Sequence, residues 1–319
     1  MISFREFRNG DPPAIRDLWN LHSQQSRGCG YLAGCDHLEH YVFSKPYFER
    51  GGFQLAFDGL RLAGMALAGY GGDDRTSRVD KLAGVLSLLA VHPDYRRQGI
   101  GGELLRRTQQ HLRSGGAGML FAGGMHPLNP YGIGVYGGSD SPGILDSDPG
   151  LVNFLMKRGY KPIDSCQVMQ LSLKTPLGRL ADPRLPLLRR QVKIFSEPFP
   201  TPFSWWHNCT VGPTITYRYE MLDAETEEPI GWSLVWEMET FTRAWKAPAI
   251  GITGFYVDPE RRRRGYGALL LHSVLKHLQD NRIALVEAQV MEQNVPARQL
   301  FAKLGFERVD VGRMYRWEP

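Results

Sequence analysis

Hydrophobic positions along this 319-residue chain follow two periods, and the switch from one to the other happens twice in the same way. Residues 85–91 are almost wholly apolar, as in a strand buried on both faces, and Ile100, Leu104, Leu105 and Leu112 then fall at helical spacing. Residues 252–257, followed by Leu269, Leu270, Leu271, Val274, Leu275 and Leu278, repeat the pattern. A basic turn joins strand to helix in both places. It reads Val91-His92-Pro93-Asp94-Tyr95-Arg96-Arg97-Gln98-Gly99-Ile100-Gly101 in the first and Val257-Asp258-Pro259-Glu260-Arg261-Arg262-Arg263-Arg264-Gly265-Tyr266-Gly267 in the second. One offset, 166 residues from Val91 to Val257, aligns Pro93 with Pro259, Arg96 with Arg262, Gly99 with Gly265 and Gly101 with Gly267. A single strand-turn-helix unit therefore occurs once in each half.

The remaining pattern predicts a strand over 2–7, a helix over 12–22, and a second helical or loop segment reaching Tyr47. A strand pair over 52–58 and 62–70 turns at Asp58-Gly59, a dipeptide favoured in hairpins. A strand over 119–122, a helix over 151–158 and a strand over 167–173 finish the first half. A linker with three prolines follows, and the second half predicts strands over 191–195, 214–222, 230–239 and 249–257, the motif helix, a strand over 283–290 and a helix over 296–304. A short aromatic stretch of Phe203, Trp205 and Trp206 replaces the early helices. The fold class is α/β, as two tandem domains (1–175 and 189–319, linked by 176–188), each a mixed, mostly antiparallel twisted sheet flanked by helices.

The turns carry the chemistry. The first N–H groups of a helix lack intrahelical partners and sit at the positive end of its dipole, so a turn opening onto one binds anions. Gly99, Gly101, Gly265 and Gly267 let a phosphate approach the backbone, and the flanking arginines add charge-assisted hydrogen bonds. No nucleotide-hydrolysing P-loop pattern and no complete dinucleotide fingerprint is present.

What the turns spell is R-x-x-G-x-G, from Arg96 to Gly101 and from Arg262 to Gly267, each after a strand ending in V-x-P. This resembles the acetyl-CoA pyrophosphate motif of the GCN5-related N-acetyltransferase (GNAT) superfamily. The stretch from Asn294 through Ala297 and Phe301 to Gly305-Phe306 is similar to a later signature of that family. The resemblance makes both domains GNAT-like and implies acetyl-CoA as co-substrate. In the first half it would be held by Leu89, Val91, Arg96, Arg97, Gln98, Gly99, Gly101 and Gly102. In the second, Phe255, Val257, Arg262, Arg263, Arg264, Gly265, Gly267, Ala268 and Asn294 would hold it. It also implies that a backbone N–H of the motif strand receives the thioester oxyanion.

The halves differ. The ending Gly159-Tyr160 parallels Gly305-Phe306 at an offset of only 146, so about twenty extra residues lie in a Gly- and Pro-rich insertion near 123–146. Its aromatic content favours an ordered loop, able to close over a substrate as a lid. Projection by 146 puts Asp148 opposite Asn294 and Leu155 opposite Phe301. The family's frequent acid, a tyrosine at that last position, is thus missing from both halves. Tyr131 and Tyr136 of the insertion become candidates for the hydroxyl. Glu237, which shares a strand face with Glu239, becomes a candidate base.

Composition adds limits. A net charge of +5 sits largely in the two arginine turns, which argues for an anionic cofactor and against nucleic acid. A mean hydropathy of −0.31, no apolar run near the ~18 residues of a bilayer span and no leader-like start suggest a cytoplasmic protein without membrane contact. Cys29, Cys35, His37 and His40 have metal-binding residue types but not a knuckle spacing, so no metal is expected. The function expected is acetyl-CoA-dependent N-acetylation of a small-molecule primary amine by a monomer or homodimer. The alternative is an acyl-CoA-binding or sensing protein.

Overall fold

The computed structural model describes residues 1–178, 182–198, 204–211, 214 and 216–318. Strand β1 (Ile2–Glu6) leads into helix α1 (Pro12–Ser23), which starts at a proline pair and buries Ile15, Leu18 and Trp19. A single turn of helix, α2 (Asp36–Leu38), runs on as a π-turn over Glu39–Phe43. The hairpin of β2 (Phe53–Asp58) and β3 (Arg61–Gly72) reverses at Gly59, whose φ of +58° suits glycine. The motif strand β4 (Val79–Val91) and motif helix α3 (Ile100–Ser114) follow, then β5 (Met119–Ala122), β6 (Ile144–Leu145), α4 (Pro149–Met156) and β7 (Tyr160–Ser172).

The second half comprises α5 (Leu185–Gln191), β8 (Val192–Pro198), α6 (Trp205–Thr210), β9 (Thr216–Asp223), β10 (Pro229–Glu237) and α7 (Glu239–Trp245). The second motif unit is β11 (Ala249–Val257) and α8 (Tyr266–Asp280), followed by β12 (Leu285–Met291), α9 (Val295–Lys303) and β13 (Glu307–Trp317). The aromatic stretch becomes α6, with Trp206 fully buried, while Phe203 lies outside the described residues. The strand expected over 230–239 ends at Glu237, and Glu239 opens α7 instead. Those two carboxylates therefore do not share a strand face.

All the strands belong to one sheet, in the order β1-β2-β3-β4-β5-β13-β7-β12-β11-β10-β9-β8, with β6 beside β13. The halves exchange their last strands. β7 leaves the first half to pair with β12, and β13 returns to pair with β5. The exchange is symmetric, because Ala288 faces Met169 where Ala122 faces Tyr315, and Val290 faces Gln167 where Ile144 faces Arg313. β5 and β6 lie on one line along β13, so the insertion interrupts a single strand between Ala122 and Ile144.

Helices cover both faces of the sheet. On one, α3 and α4 pack Ile100, Leu104 and Leu155 against Tyr160 and Tyr315, and α8 packs Leu270, Leu271 and Val274 against Val286. On the other, α1 lies over Phe53, Leu55 and Leu67. The inserted segment is largely buried between the halves rather than free at the surface. It accepts hydrogen bonds from the first half at Val135 O (Gly30 N, 2.8 Å) and Pro130 O (Tyr47 Oη, 2.7 Å). From the second it accepts Trp206 Nε1 at Asn129 Oδ1 (3.0 Å), Trp236 Nε1 at Ser139 O (2.9 Å) and Thr240 Oγ1 at Gly134 O (2.6 Å). A buried ion pair adds to this seam: Glu287 receives Arg27 Nη2 and Gln170 Nε2, both at 2.7 Å, and Ser139 N at 2.8 Å.

Candidate active site

The two basic turns have the same backbone. Arg97 and Arg263 adopt φ of 65° and 60°, and Gly99 and Gly265 adopt 83° and 100°. The guanidiniums of Arg96 and Arg262 both donate Nε to the carbonyl ending their motif strand, Val91 O at 3.3 Å and Val257 O at 2.9 Å. Intrahelical bonding begins at Glu103 N to Gly99 O (3.1 Å) and Leu269 N to Gly265 O (3.0 Å). The N–H groups of Ile100 to Gly102 and of Tyr266 to Ala268 precede that bond, at the positive end of the helix. A Cβ at Gly101 would stand 3.2 Å from the Phe154 ring, a tight contact. These residues fit a pyrophosphate.

Each turn adjoins a point where the sheet opens. The parallel pairing of β4 with β5 stops at Leu86–Ala122, and that of β11 with β12 stops at Ile252–Ala288. The next residue of each motif strand, Ser87 and Thr253, is the extra residue of a β-bulge. Both hydroxyls are buried without a hydrogen-bond partner. Beyond the gap, Asp148 caps α4 by accepting Leu151 N at 3.3 Å, and Asn294 caps α9 by accepting Ala297 N at 3.2 Å. Leu155 and Phe301 are buried in the cores.

A model of the acetyltransferase (GNAT) family matches residues 15–137 and again residues 186–306. The chain belongs to that family. Among its relatives, the mycothiol acetyltransferase of Paenarthrobacter aurescens (strain TC1) is 30% identical over 304 residues, which span 89% of this chain and 83% of that protein. The mycothiol acetyltransferase of Catenulispora acidiphila (strain DSM 44928) is 25% identical over 268 residues, 79% of this chain and 78% of the relative. A solved tandem GNAT protein from the clavulanic acid biosynthesis pathway, without AcCoA, aligns over 99% of this chain and 98% of its own with a TM-score of 0.69. At 16% identity that likeness concerns the fold, a tandem GNAT architecture.

In this GNAT chain the first gap opens into a cleft of about 320 Å³ with its mouth included. His22, Cys29, Ser87, Leu89, Tyr136 and Asp148 are among its walls. Burial, with Arg96 and His92 nearby, pushes the His22 imidazole down to about 4, so the ring is neutral at physiological pH. Its Nε2 is buried without a hydrogen-bond partner. Burial also raises Asp148, and pushes the Cys29 thiol up to about 12.

The sequence-derived catalytic candidates are scattered. Tyr136 reaches the cleft, but its hydroxyl accepts Leu145 N at 3.1 Å, its ring meets Trp19 edge-on, and burial raises its pKa. Tyr131 is buried beside Tyr47, outside the cleft walls. Glu237 is exposed at the end of β10 in the other half. His22 was not legible as a site residue, since it ends an amphipathic helix and has no copy in the second half. Ser87 and Thr253 did leave a signal, being hydroxyls in apolar strands at the repeat offset.

The linker distinguishes the two GNAT turns further. Arg184 Nη1 donates to Arg263 O at 3.2 Å, and a Cβ on Gly265 would stand 2.9 Å from Leu188 Cδ1. Asp182 pairs with Arg184 at 2.7 Å and with Lys303 at 3.8 Å, which places a carboxylate of the chain itself beside the second turn. Around Gly99 a Cβ would meet nothing within 4 Å. Gly99 is exposed, whereas Arg184 and Leu188 partly cover the second turn at Arg263 and Gly265.

Proposed function

We propose that this GNAT-family protein transfers the acetyl group of acetyl-CoA to a primary amine of a small molecule, and that the first half holds the reacting cofactor. The observation that carries this reading is the pairing of an open turn with an open cleft in one half, against a turn in the other that Arg184 and Leu188 partly cover. The free N–H groups of Ile100, Gly101 and Gly102, with the Arg96 and Arg97 guanidiniums, would hold the pyrophosphate. The β4 backbone at Leu89 to Val91 would line the pantetheine arm. Acetyl-CoA supplies a thioester carbonyl already activated toward amines. The β4 backbone N–H groups beside the bulge supply donors to the oxyanion as it forms. Ser87, Asp148 and His22 give the cleft polar groups among apolar side chains, which orients a small polar acceptor.

The test is thiol release from acetyl-CoA across a panel of amines, headed by the acceptor of mycothiol acetyltransferases, with the acetylated product identified by mass. Turnover of one small amine supports the reading. Acetyl-CoA binding with no turnover of any amine counts against it.

A further inference from the structure

The first cleft contains four side chains able to exchange a proton, and one of them presents a buried nitrogen without a partner. Cys29 stays a thiol because burial raises it. Tyr136 spends its oxygen on Leu145 N and is likewise raised. Asp148 spends Oδ1 on the cap of α4. His22 differs. Val91 O engages its ring, and a proton held on Nδ1 by that carbonyl leaves the Nε2 lone pair free, at an atom that is buried and unpartnered. Ser87, which also lines the cleft, is 94% buried, and its hydroxyl is likewise without a partner. Two unmet polar groups facing one cleft leave a ligand to satisfy them.

We infer that His22 is the general base of the first-half site, with Ser87 positioning the acceptor amine. The inference rests on the proposed acetyl transfer. His22 Nε2 takes the proton that a neutral amine sheds as its C–N bond forms and the thioester C–S bond breaks. It then returns that proton to the departing thiolate, so amine and thioester become amide and thiol with no net proton change. The groups that face His22 are Arg96 and His92 from the turn, Asp148 from the α4 cap, Cys29 after α1 and Tyr136 from the insertion. Burial, with Arg96 and His92 nearby, keeps the ring neutral, so the base is ready at neutral pH but weak. The acceptor must therefore arrive as the free amine.

The experiment compares the full-length protein with His22→Gln and His22→Gly, using acetyl-CoA and an amine that the unmodified protein turns over. The expected result is a kcat lower by about 100-fold in both variants. The amine KM and the acetyl-CoA Kd stay within about twofold, and added imidazole restores activity to His22→Gly alone. A kcat within about threefold of the unmodified protein overturns the inference. So does a loss expressed in amine KM, or a loss in kcat that imidazole leaves unchanged in His22→Gly. An unmodified protein that binds acetyl-CoA but acetylates nothing overturns the acetyl-transfer reading instead, and this inference with it.

Discussion

Ser87 and Thr253 stand 166 positions apart, each as the extra residue of a β-bulge where parallel strands separate, and each with a buried hydroxyl that makes no hydrogen bond. An unmade hydrogen bond on a buried group costs about 1–3 kcal/mol. Removing the hydroxyl should therefore not destabilise the fold. Thr253→Val is expected to raise the free energy of unfolding by up to about 1 kcal/mol in urea titrations and to leave turnover alone. Ser87→Ala is expected to match it in stability but to lower turnover. Equal turnover in Ser87→Ala would take that hydroxyl out of the chemistry.

The seam between the halves depends on Glu287, whose side chain is fully buried and held by Arg27 across it. Arg27→Ala leaves a buried carboxylate without its counterion, so it should lower stability by about 3–5 kcal/mol. Equilibrium urea unfolding measures this. A loss below about 1 kcal/mol would mean that Gln170 and Ser139 N satisfy the carboxylate unaided.

Acid should weaken the fold through two histidines. His22 and His207 are both lowered from 6.5 to about 4, chiefly by burial. Between those values the unfolded chain binds more protons, so their contribution makes stability fall as pH drops from about 6.5 to 4. His22→Gln should show a smaller difference in unfolding free energy between pH 7 and pH 4.5 than the unmodified protein. An identical difference would show that the ring is not held neutral.

The linker contact should control the second turn. Replacing both Arg184 and Leu188 by alanine removes the bond to Arg263 O and the methyl over Gly265. A second, weaker acetyl-CoA binding event should then appear in calorimetry. A single unchanged site would mean that the second turn lacks affinity for another reason.

How much of this could be read from the chain depends on how local each signal is. The two turns were legible because glycine at positive φ and arginine beside a helix start are local requirements, and the strand over 119–122 and the strand over 249–257 follow from local apolar runs. The strand exchange was not, since nothing in β7 or β13 states its partner. β13 was missed because Glu307, Arg308, Asp310 and Arg313 interrupt any apolar alternation in a strand whose neighbours all come from the first half. The insertion was located by the change of offset, but its burial against Trp206, Trp236 and Thr240 is a tertiary fact. The coverage of the second turn likewise depends on Leu188 and Arg184 folding back across some eighty residues of sequence.

Gln98 and Arg264 occupy equivalent positions in the two turns, and both are exposed. Isothermal titration of acetyl-CoA into the unmodified protein, Gln98→Glu and Arg264→Glu therefore addresses the asymmetry directly. The expected result is one site per chain, weakened roughly tenfold or more by a carboxylate in the first turn and unaffected by one in the second. Two equivalent sites, or a single site lost in Arg264→Glu and kept in Gln98→Glu, would contradict the assignment of the reacting cofactor to the first half.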